Sequence, residues 1–159
     1  MGCKFILSDK NQINKIKSLW NKLNELHLKD SHYFKDHYKE FTFEERCKKF
    51  NEIDDNNIRI ELITDNEIIV GYCISTIDKS TGEIDSLFIE ENYRKYGYGG
   101  QLVENSISWL KSKNCNKIMV AVAEGHESVF GFYQKYSFYP RMTYLQMRNC
   151  ELTSQKELK

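Results

Sequence analysis

A glycine-rich turn between a predicted strand and a predicted helix constrains this chain more than any other feature. The segment 84–89 is apolar, the residues from Leu102 onward have the spacing of an amphipathic helix, and Gly97, Gly99 and Gly100 lie between them. Because glycine lacks a Cβ atom, such a turn brings backbone N–H groups close to a ligand. The helix N-terminus adds unpaired donors and a positive dipole end. The turn therefore predicts a site for an anionic, phosphorylated cofactor.

Two common phosphate-binding loops do not fit this turn. A dinucleotide fingerprint needs a third glycine where Leu102 stands, and a P-loop ends in Gly-Lys-Ser/Thr, which is absent. The pattern that remains is Arg-x-x-Gly-x-Gly, from Arg94 to Gly99. It resembles the acyl-CoA pyrophosphate loop of the GNAT superfamily of N-acyltransferases.

A second block about thirty residues later strengthens this resemblance. It comprises Gly125-His126-Glu127, the run Phe132-Tyr133-Gln134-Lys135-Tyr136-Ser137-Phe138, and Pro140-Arg141. These segments are similar to the family's helix bearing Phe-Tyr, which turns into a strand. The resemblance covers about 83–147 and implies the GNAT fold. We therefore expect an α+β or α/β protein with a mixed central sheet of about six to seven strands flanked by helices.

The chain departs from the family pattern at two positions. His126 stands where the family usually has Asn, which puts in doubt a side-chain hydrogen bond to the pantetheine arm, although a histidine nitrogen can replace it. Ser137 stands where the family usually has Gly before Phe. Because serine tolerates positive φ poorly, the turn after this helix is expected to be strained or differently shaped.

The apolar pattern also predicts the other elements. Asp9 and Gln12 form a candidate capping box for a helix with Ile13, Ile16, Trp20 and Leu23 on one face. A second, less regular helical region is expected at about 31–50, and another helix at about 129–136. Strands are expected at 4–7, 58–64, 68–77, 84–89, 117–122 and 143–148.

Length and composition favour a small enzyme with one domain, 1–159. The resemblance implies that its N-terminal helical part, about 9–52, faces the acceptor and that about 83–147 binds acyl-CoA. Lys plus Arg and Asp plus Glu number 23 each, which argues against nucleic acid or a membrane as partner. The five cysteines are scattered and read as reduced thiols, with no metal-site spacing. No signal or membrane-spanning segment is recognised, so a cytoplasmic location is expected.

The resemblance implies transfer of an acetyl group from acetyl-CoA to an amine. Because an alkylamine is almost wholly protonated at pH 7, a base must remove a proton. The family often uses a carboxylate on the strand before the loop; Glu83 has that position, and Asp85 is the substitute. Tyr133 matches the family's general acid, which protonates the departing CoA thiolate. Its helical spacing is equally typical of a core aromatic residue.

The remaining site residues are expected to bind the cofactor. A backbone N–H near Leu87 or Ile89 would hold the thioester oxygen. Arg94 and Lys95 are expected to contact phosphate. Tyr96 and Tyr98 are also included, although an alternative is that they only cover the start of the helix. The full predicted set is Leu87, Phe88, Ile89, Arg94, Lys95, Tyr96, Gly97, Tyr98, Gly99, Gly100 and His126.

The acceptor is the least constrained part. A wall containing Phe34, Tyr38, Phe41 and Phe43 among Asp30, Asp36, Glu40, Glu44 and Glu45 suits a cation with an apolar stem. A polyamine, an amino sugar antibiotic or a protein amino group all qualify, with a small-molecule amine preferred. An alternative for the aromatic residues is that they belong to the core. For the function, the alternatives are a protein or peptide acceptor, or a non-catalytic acyl-CoA sensor. A homodimer is common in the family, but no particular residue supports one here.

Overall fold

The computed structural model describes residues 2–148, and its centre is a sheet of five strands in chain order. The strands are β1 (Cys3–Ser8), β2 (Ile58–Asp65), β3 (Ile68–Asp78), β4 (Thr81–Ile89) and β5 (Lys117–Val120). The first three pairings are antiparallel, and β4 pairs with β5 in parallel. The sheet is therefore mixed, with its one parallel pairing at the β4–β5 edge.

Helices flank both faces of this sheet. They are α1 (Lys17–Asp30), α2 (Lys35–Glu40), α3 (Phe43–Asn51), α4 (Tyr98–Ser112) and α5 (Phe130–Gln134). Short 3₁₀ turns occupy Lys10–Ile16, Asp55–Asn57, Glu91–Tyr93 and Glu127–Val129. No helix in the span 2–148 has both the length and the apolar content needed to cross a membrane.

The buried apolar residues form two clusters, one on each face of the sheet. On one face Ile16, Trp20 and Phe50 pack with Tyr72 and Phe88, which joins the Lys10–Ile16 turn, α1 and α3 to the central strands. The other cluster joins α4 to the opposite face and is formed by Ile63, Val70, Cys73, Ile84, Ile89, Leu102 and Val103. Apolar residues of the helices therefore pack against both faces of the sheet, so the central strands are buried on each side.

The prediction of six to seven strands was wrong, because the described sheet has five. The expected strand at 143–148 is irregular, and the side chains of Tyr144 and Leu145 are 90% and 95% exposed. A segment of alternating apolar and polar residues forms a strand when one of its faces packs against the rest of the protein. Here neither face does so. The fifth strand also ends at Val120 rather than at residue 122.

The helical predictions were right in position and incomplete in detail. Asp9 makes no side-chain cap bond, and the chain passes through the 3₁₀ turn before α1 begins at Lys17. The region 31–50 divides at Phe41, because Thr42 starts a new helix by accepting a bond from the Glu45 N–H at 3.2 Å. Four cysteines are free thiols as predicted, and Cys150 lies outside the described residues.

Candidate active site

The predicted glycine-rich turn connects β4 to α4. Gly97 has φ +83° and forms the N-cap of α4, while a Cβ atom built at this position meets no atom within 4 Å. Glycine is thus needed here for the left-handed backbone and not for space. Lys95 also has a positive φ, +70°, although its side chain is large. The turn is held in this strained form directly before the helix N-terminus.

Arg94 ties the turn to the end of β4. Its Nε donates to the Ile89 carbonyl at 2.8 Å, and its guanidinium carbon lies 5.3 Å from the centre of the Phe88 ring. The Arg94 guanidinium carries its positive charge in the segment that directly precedes the glycine turn. Tyr96 is 56% exposed, with its ring centre 6.0 Å from that of Tyr98.

The strands β4 and β5 separate just before this turn. Their parallel pairing runs from Thr81 opposite Lys117 to Ile84 opposite Val120 and goes no further among the described residues. The stretch from Asp85 to Ile89 therefore has β3 on one side and no strand of the described chain on the other. Such an edge presents unpaired backbone groups to an extended ligand. Leu87 and Phe88 lie in this stretch.

A bulge in β4 places Asp85 at the start of the open edge. Ile74 pairs with Ser86 and Ser75 pairs with Ile84, so Asp85 is the extra residue. Arg46 Nη2 donates to the Asp85 carbonyl at 2.9 Å and lies 3.7 Å from its carboxylate. The carboxylate also bonds Lys49 and Thr76, and the side chain is 0% exposed. Both of its oxygens are engaged.

Glu83 lies two residues earlier and is more accessible. Its carboxylate is 32% exposed and 3.9 Å from Lys49 Nζ. Burial, followed by the neighbouring Asp85 charge, raises the pKa of Glu83 above its usual value. Of the two predicted carboxylates, Glu83 has the exposure and the raised proton affinity that a base requires.

Tyr133 is fixed by the end of α5. Phe138 N–H donates to the Tyr133 carbonyl at 3.2 Å and Ser137 N–H donates to Gln134 at 3.1 Å, with Ser137 at φ +68°. This is a Schellman motif, and the Tyr133–Phe138 ring contact at 5.9 Å is its apolar closure. The strained turn predicted from Ser137 is confirmed. Burial, and to a lesser degree Cys73, raises the pKa of Tyr133 to about 12.

His126 faces α1. Its Nε2 lies 3.0 Å from Asp30 Oδ2, and its ring stacks on His27 at 4.4 Å. Beside it, Gly125 has φ +95°, and a Cβ there would come within 2.3 Å of the Asp30 carbonyl oxygen. The residues after β5 are thus clamped to the C-terminal end of α1.

Glu124 forms the second half of this clamp, which the sequence patterns did not reveal. Its carboxylate accepts from Ser31 Oγ at 2.6 Å and from the N–H groups of His32 and Tyr33 at 3.0 Å. These bonds, led by the Ser31 hydroxyl, lower the pKa of Glu124 to about 2. The chain between α1 and α2 is thereby bonded to the segment that follows β5.

Two cavities adjoin the bulge. The ring slot has a volume of about 150 Å³ and is lined by Trp20, Leu23, Asn24, His27, His37, Tyr38, Phe41, Arg46, Asp85 and Ser86. The acidic cleft has a volume of about 630 Å³ and is lined by Lys49, Glu52, Ile53, Asp54, Asn57, Thr76, Ile77, Asp78, Thr81, Glu83, Lys117 and Met119.

The ring slot contains only part of the aromatic wall that was expected for the acceptor. Tyr38 and Phe41 line the ring slot, whereas Phe43 is 2% exposed within the core and Phe34 does not line the slot. None of the five expected carboxylates lines it either; the four on α2 and α3 are exposed. Trp20 and Arg46 were missed as lining residues, because an apolar helix position and a lone charge carry no sequence signal for a cavity.

The site thus combines a glycine turn before a helix, an open strand edge and the partly buried Tyr133. The sequence profile described as the Acetyltransferase (GNAT) family matches residues 20–138. The chain belongs to this family, which confirms both the resemblance and the predicted enzyme class.

Solved structures of acetyltransferases have a similar fold. PaiA N-acetyltransferase from Thermoplasma acidophilum, in complex with coenzyme A, has a TM-score of 0.72 at 14% identity over 91% of this chain and 94% of that one. An aminoglycoside acetyltransferase from an uncultured soil metagenomic sample, in complex with sisomicin, has 0.68 at 13% over 91% and 95%. Glucosamine-6-phosphate N-acetyltransferase from Arabidopsis thaliana has 0.62 at 18% over 94% and 99%.

Proposed function

We propose that this protein transfers the acetyl group of acetyl-CoA directly to the primary amine of a small cationic molecule, and that residues 1–159 form a single catalytic domain. The observation that carries the proposal is the position of the Asp85 bulge. It lies where β4 leaves β5, between the glycine turn on one side and the two cavities on the other. A cofactor along the open edge and an acceptor in a cavity would meet at this point.

In the proposed binding mode the pyrophosphate lies on the turn. Gly97, Gly99 and Gly100 bring the first N–H groups of α4 to the phosphates, and Arg94 with Lys95 adds positive charge. The pantetheine arm pairs with the open edge at Leu87, Phe88 and Ile89. Tyr96 and Tyr98 flank the turn, and His126 borders the arm from the β5 side. No metal takes part in this scheme.

The chemistry then proceeds by direct attack. Glu83, directly or through a water, takes a proton from the acceptor ammonium, and the freed nitrogen attacks the thioester carbon. A β4 N–H near Leu87 or Ile89 holds the oxyanion. As the C–S bond breaks, Tyr133 gives its proton to the CoA sulfur, and the second proton that the acceptor nitrogen loses on forming the amide returns the phenol to its neutral form. A pKa near 12 keeps the phenol protonated at neutral pH, as this role requires.

The acidic cleft supports a second acceptor class, a protein or peptide amino group. It is about four times larger than the ring slot, and Glu52, Asp54 and Asp78 line it together with Glu83. Such a lining suits an extended cationic segment. The small-molecule proposal is supported by the ring slot beside α1 and α2, and by the aminoglycoside acetyltransferases of similar fold.

A homodimer stays a proposal. Its support is a run of exposed apolar side chains on the last described residues, with Met142, Tyr144, Leu145 and Met147 each at least 68% exposed. An apolar run of this kind suits an interface between copies. Light scattering over a range of concentrations tests it, and a monomeric mass at every concentration would count against it.

The experiment that tests the function is thiol release from acetyl-CoA with a panel of amines. Monoamines, polyamines, aminoglycosides, amino acids and peptides with a free N-terminus cover the acceptor classes. Amine-dependent release above the blank is expected. No release with any amine, from a protein that acetyl-CoA stabilises thermally, would instead favour a non-catalytic acyl-CoA sensor.

A further inference from the structure

We infer that the ring slot selects an acceptor amine that carries a single aromatic ring, with the amine directed at β4. The inference rests on the proposed function and narrows its substrate class. It is carried by the size of the slot, by its lining and by its position at the bulge.

The half-open slot has room for about one ring. The slot measures about 150 Å³, and an apolar cavity of about this volume binds one benzene molecule. An aminoglycoside, with several linked sugar rings, exceeds this space. A phenyl, hydroxyphenyl or imidazole ring on a short alkylamine fits it.

The walls of the slot are aromatic rings arranged in contact with one another. Phe41 lies edge-on to Trp20 at 5.7 Å and stacks with His37 at 5.1 Å. Tyr38 stacks with His27 at 5.3 Å and meets His37 edge-on at 4.9 Å. Aromatic rings bind one another with offset-stacked and edge-to-face geometry, so this lining favours a flat ring over a flexible chain.

The charges around the slot disfavour a polyamine. Among residues 2–148, Asp85 is the one acidic residue that lines the slot, and its carboxylate already bonds Lys49 and Thr76 and lies 3.7 Å from Arg46. A second ammonium group in the slot would therefore find no free carboxylate. An uncharged aromatic ring brings no second ammonium group into the slot and therefore needs no carboxylate partner there.

His27 lines the slot without adding a charge to it. Burial, followed by the charge of His126, lowers the pKa of His27 to about 4, so the side chain is neutral at pH 7 and does not repel a cation.

The position of the slot orients the amine. Asp85 and Ser86 line it at the place where β4 loses its β5 partner. A ring held against Trp20 and Phe41 directs its alkylamine toward the open edge, where the N–C bond forms, the C–S bond breaks and CoA leaves as the thiol.

Two readouts separate this inference from the proposed function. Trp109→Phe leaves Trp20 as the single tryptophan of the chain, so its fluorescence reports binding in the slot without chemistry. Thiol release then reports transfer. Tyramine and 2-phenylethylamine are the ring probes, and spermidine and kanamycin are the competitors.

We expect both ring amines to change Trp20 emission saturably and to exceed the competitors roughly tenfold in kcat/KM. Phe41→Ala should raise KM for the ring amines about tenfold with kcat little changed, and Tyr38→Leu provides a second slot variant. The matched control is Tyr33→Ala, since Tyr33 is exposed and does not line the slot.

Preference for spermidine or kanamycin, with no Trp20 response to ring amines, would overturn the inference and leave acetyl transfer standing. Ring amines that change Trp20 emission but release no thiol, when no other amine does, would support the ring site and overturn transfer.

Discussion

The hydroxyl of Tyr136 lies against Gly100, so close that a Cβ atom at position 100 would come within 2.0 Å of it. The contact joins the first turn of α4, where the proposed pyrophosphate site lies, to the segment that carries Tyr133. The backbone there has ordinary helical geometry, so glycine is required at position 100 for space. The packing of the segment after α5 thus depends on the absence of a side chain at position 100.

Gly100→Ala is expected to destabilise the protein by about 1–3 kcal/mol, because the new methyl group overpacks the contact. Weaker stabilisation by acetyl-CoA should accompany it. Urea unfolding measures the first effect, and thermal shift with the cofactor measures the second. Tyr136→Phe removes the clashing oxygen, so the double variant should recover most of the loss. Additive losses in the double variant would show that the contact is not the cause.

Ser137→Gly is expected to stabilise the fold. Ser137 has φ +68°, a left-handed conformation that costs an L-residue about 1 kcal/mol and glycine almost nothing. The gain should appear in the urea midpoint. Ser137→Ala is the control, since alanine keeps the Cβ atom and should give no gain. An equal response of the two variants would show that the turn is not strained.

Much of this arrangement could be predicted because the signals are local. Gly97 before α4 and the Phe132-Tyr133 pair lie in short segments whose turn and helix depend on neighbouring residues. The positive φ at Ser137 followed from one substitution in a turn that usually holds glycine. Local backbone chemistry decided each of these features.

Other features depend on contacts between distant residues and had no sequence signal. The Asp85 bulge is set by the register of β4 on β3, and the His126–Asp30 pair joins positions 96 residues apart. The outcome at 143–148, where a sixth strand was expected, also depends on contacts with distant residues. Alternation at 143–148 predicts a strand only where a covering face exists, and the described chain supplies none.

Tyr133→Phe should lower kcat by about 10²–10⁴, the usual contribution of a general acid, with acetyl-CoA affinity unchanged. Single-turnover kinetics with the preferred amine measures the rate, and thermal shift measures the affinity. Because burial raises the pKa of Tyr133 to about 12, the wild type should show no alkaline loss of kcat from this group below about pH 10. Tyr136→Phe is the control. An equal loss in that variant would indicate a packing role.

The two β4 carboxylates should respond differently to amide substitution. Glu83→Gln should lower kcat, while stability stays the same or rises slightly, because burial already disfavours the ionised form of Glu83. Asp85→Asn should cost about 3–5 kcal/mol, since it removes the charge that pairs with Lys49 and Arg46 in a fully buried position. Kinetics and urea unfolding on both variants distinguish the roles. A kcat loss at unchanged stability in Asp85→Asn would make Asp85 the base.

Mild acid should weaken the fold through His27. Its folded pKa is lowered to about 4 by burial, then by the His126 charge, with Asp30 opposing and His37 adding a smaller repulsion. Because the unfolded histidine titrates near 6.5, the unfolded state binds the extra proton between about pH 6.5 and 4. The stabilisation is therefore complete above pH 6.5 and is lost as the pH falls toward 4. In His27→Asn the urea midpoint should decline less over this window, whereas in the control His37→Asn, which removes only the smallest contribution to the His27 shift, the decline should stay close to that of the wild type. Equal slopes in all three proteins would exclude His27 as the source.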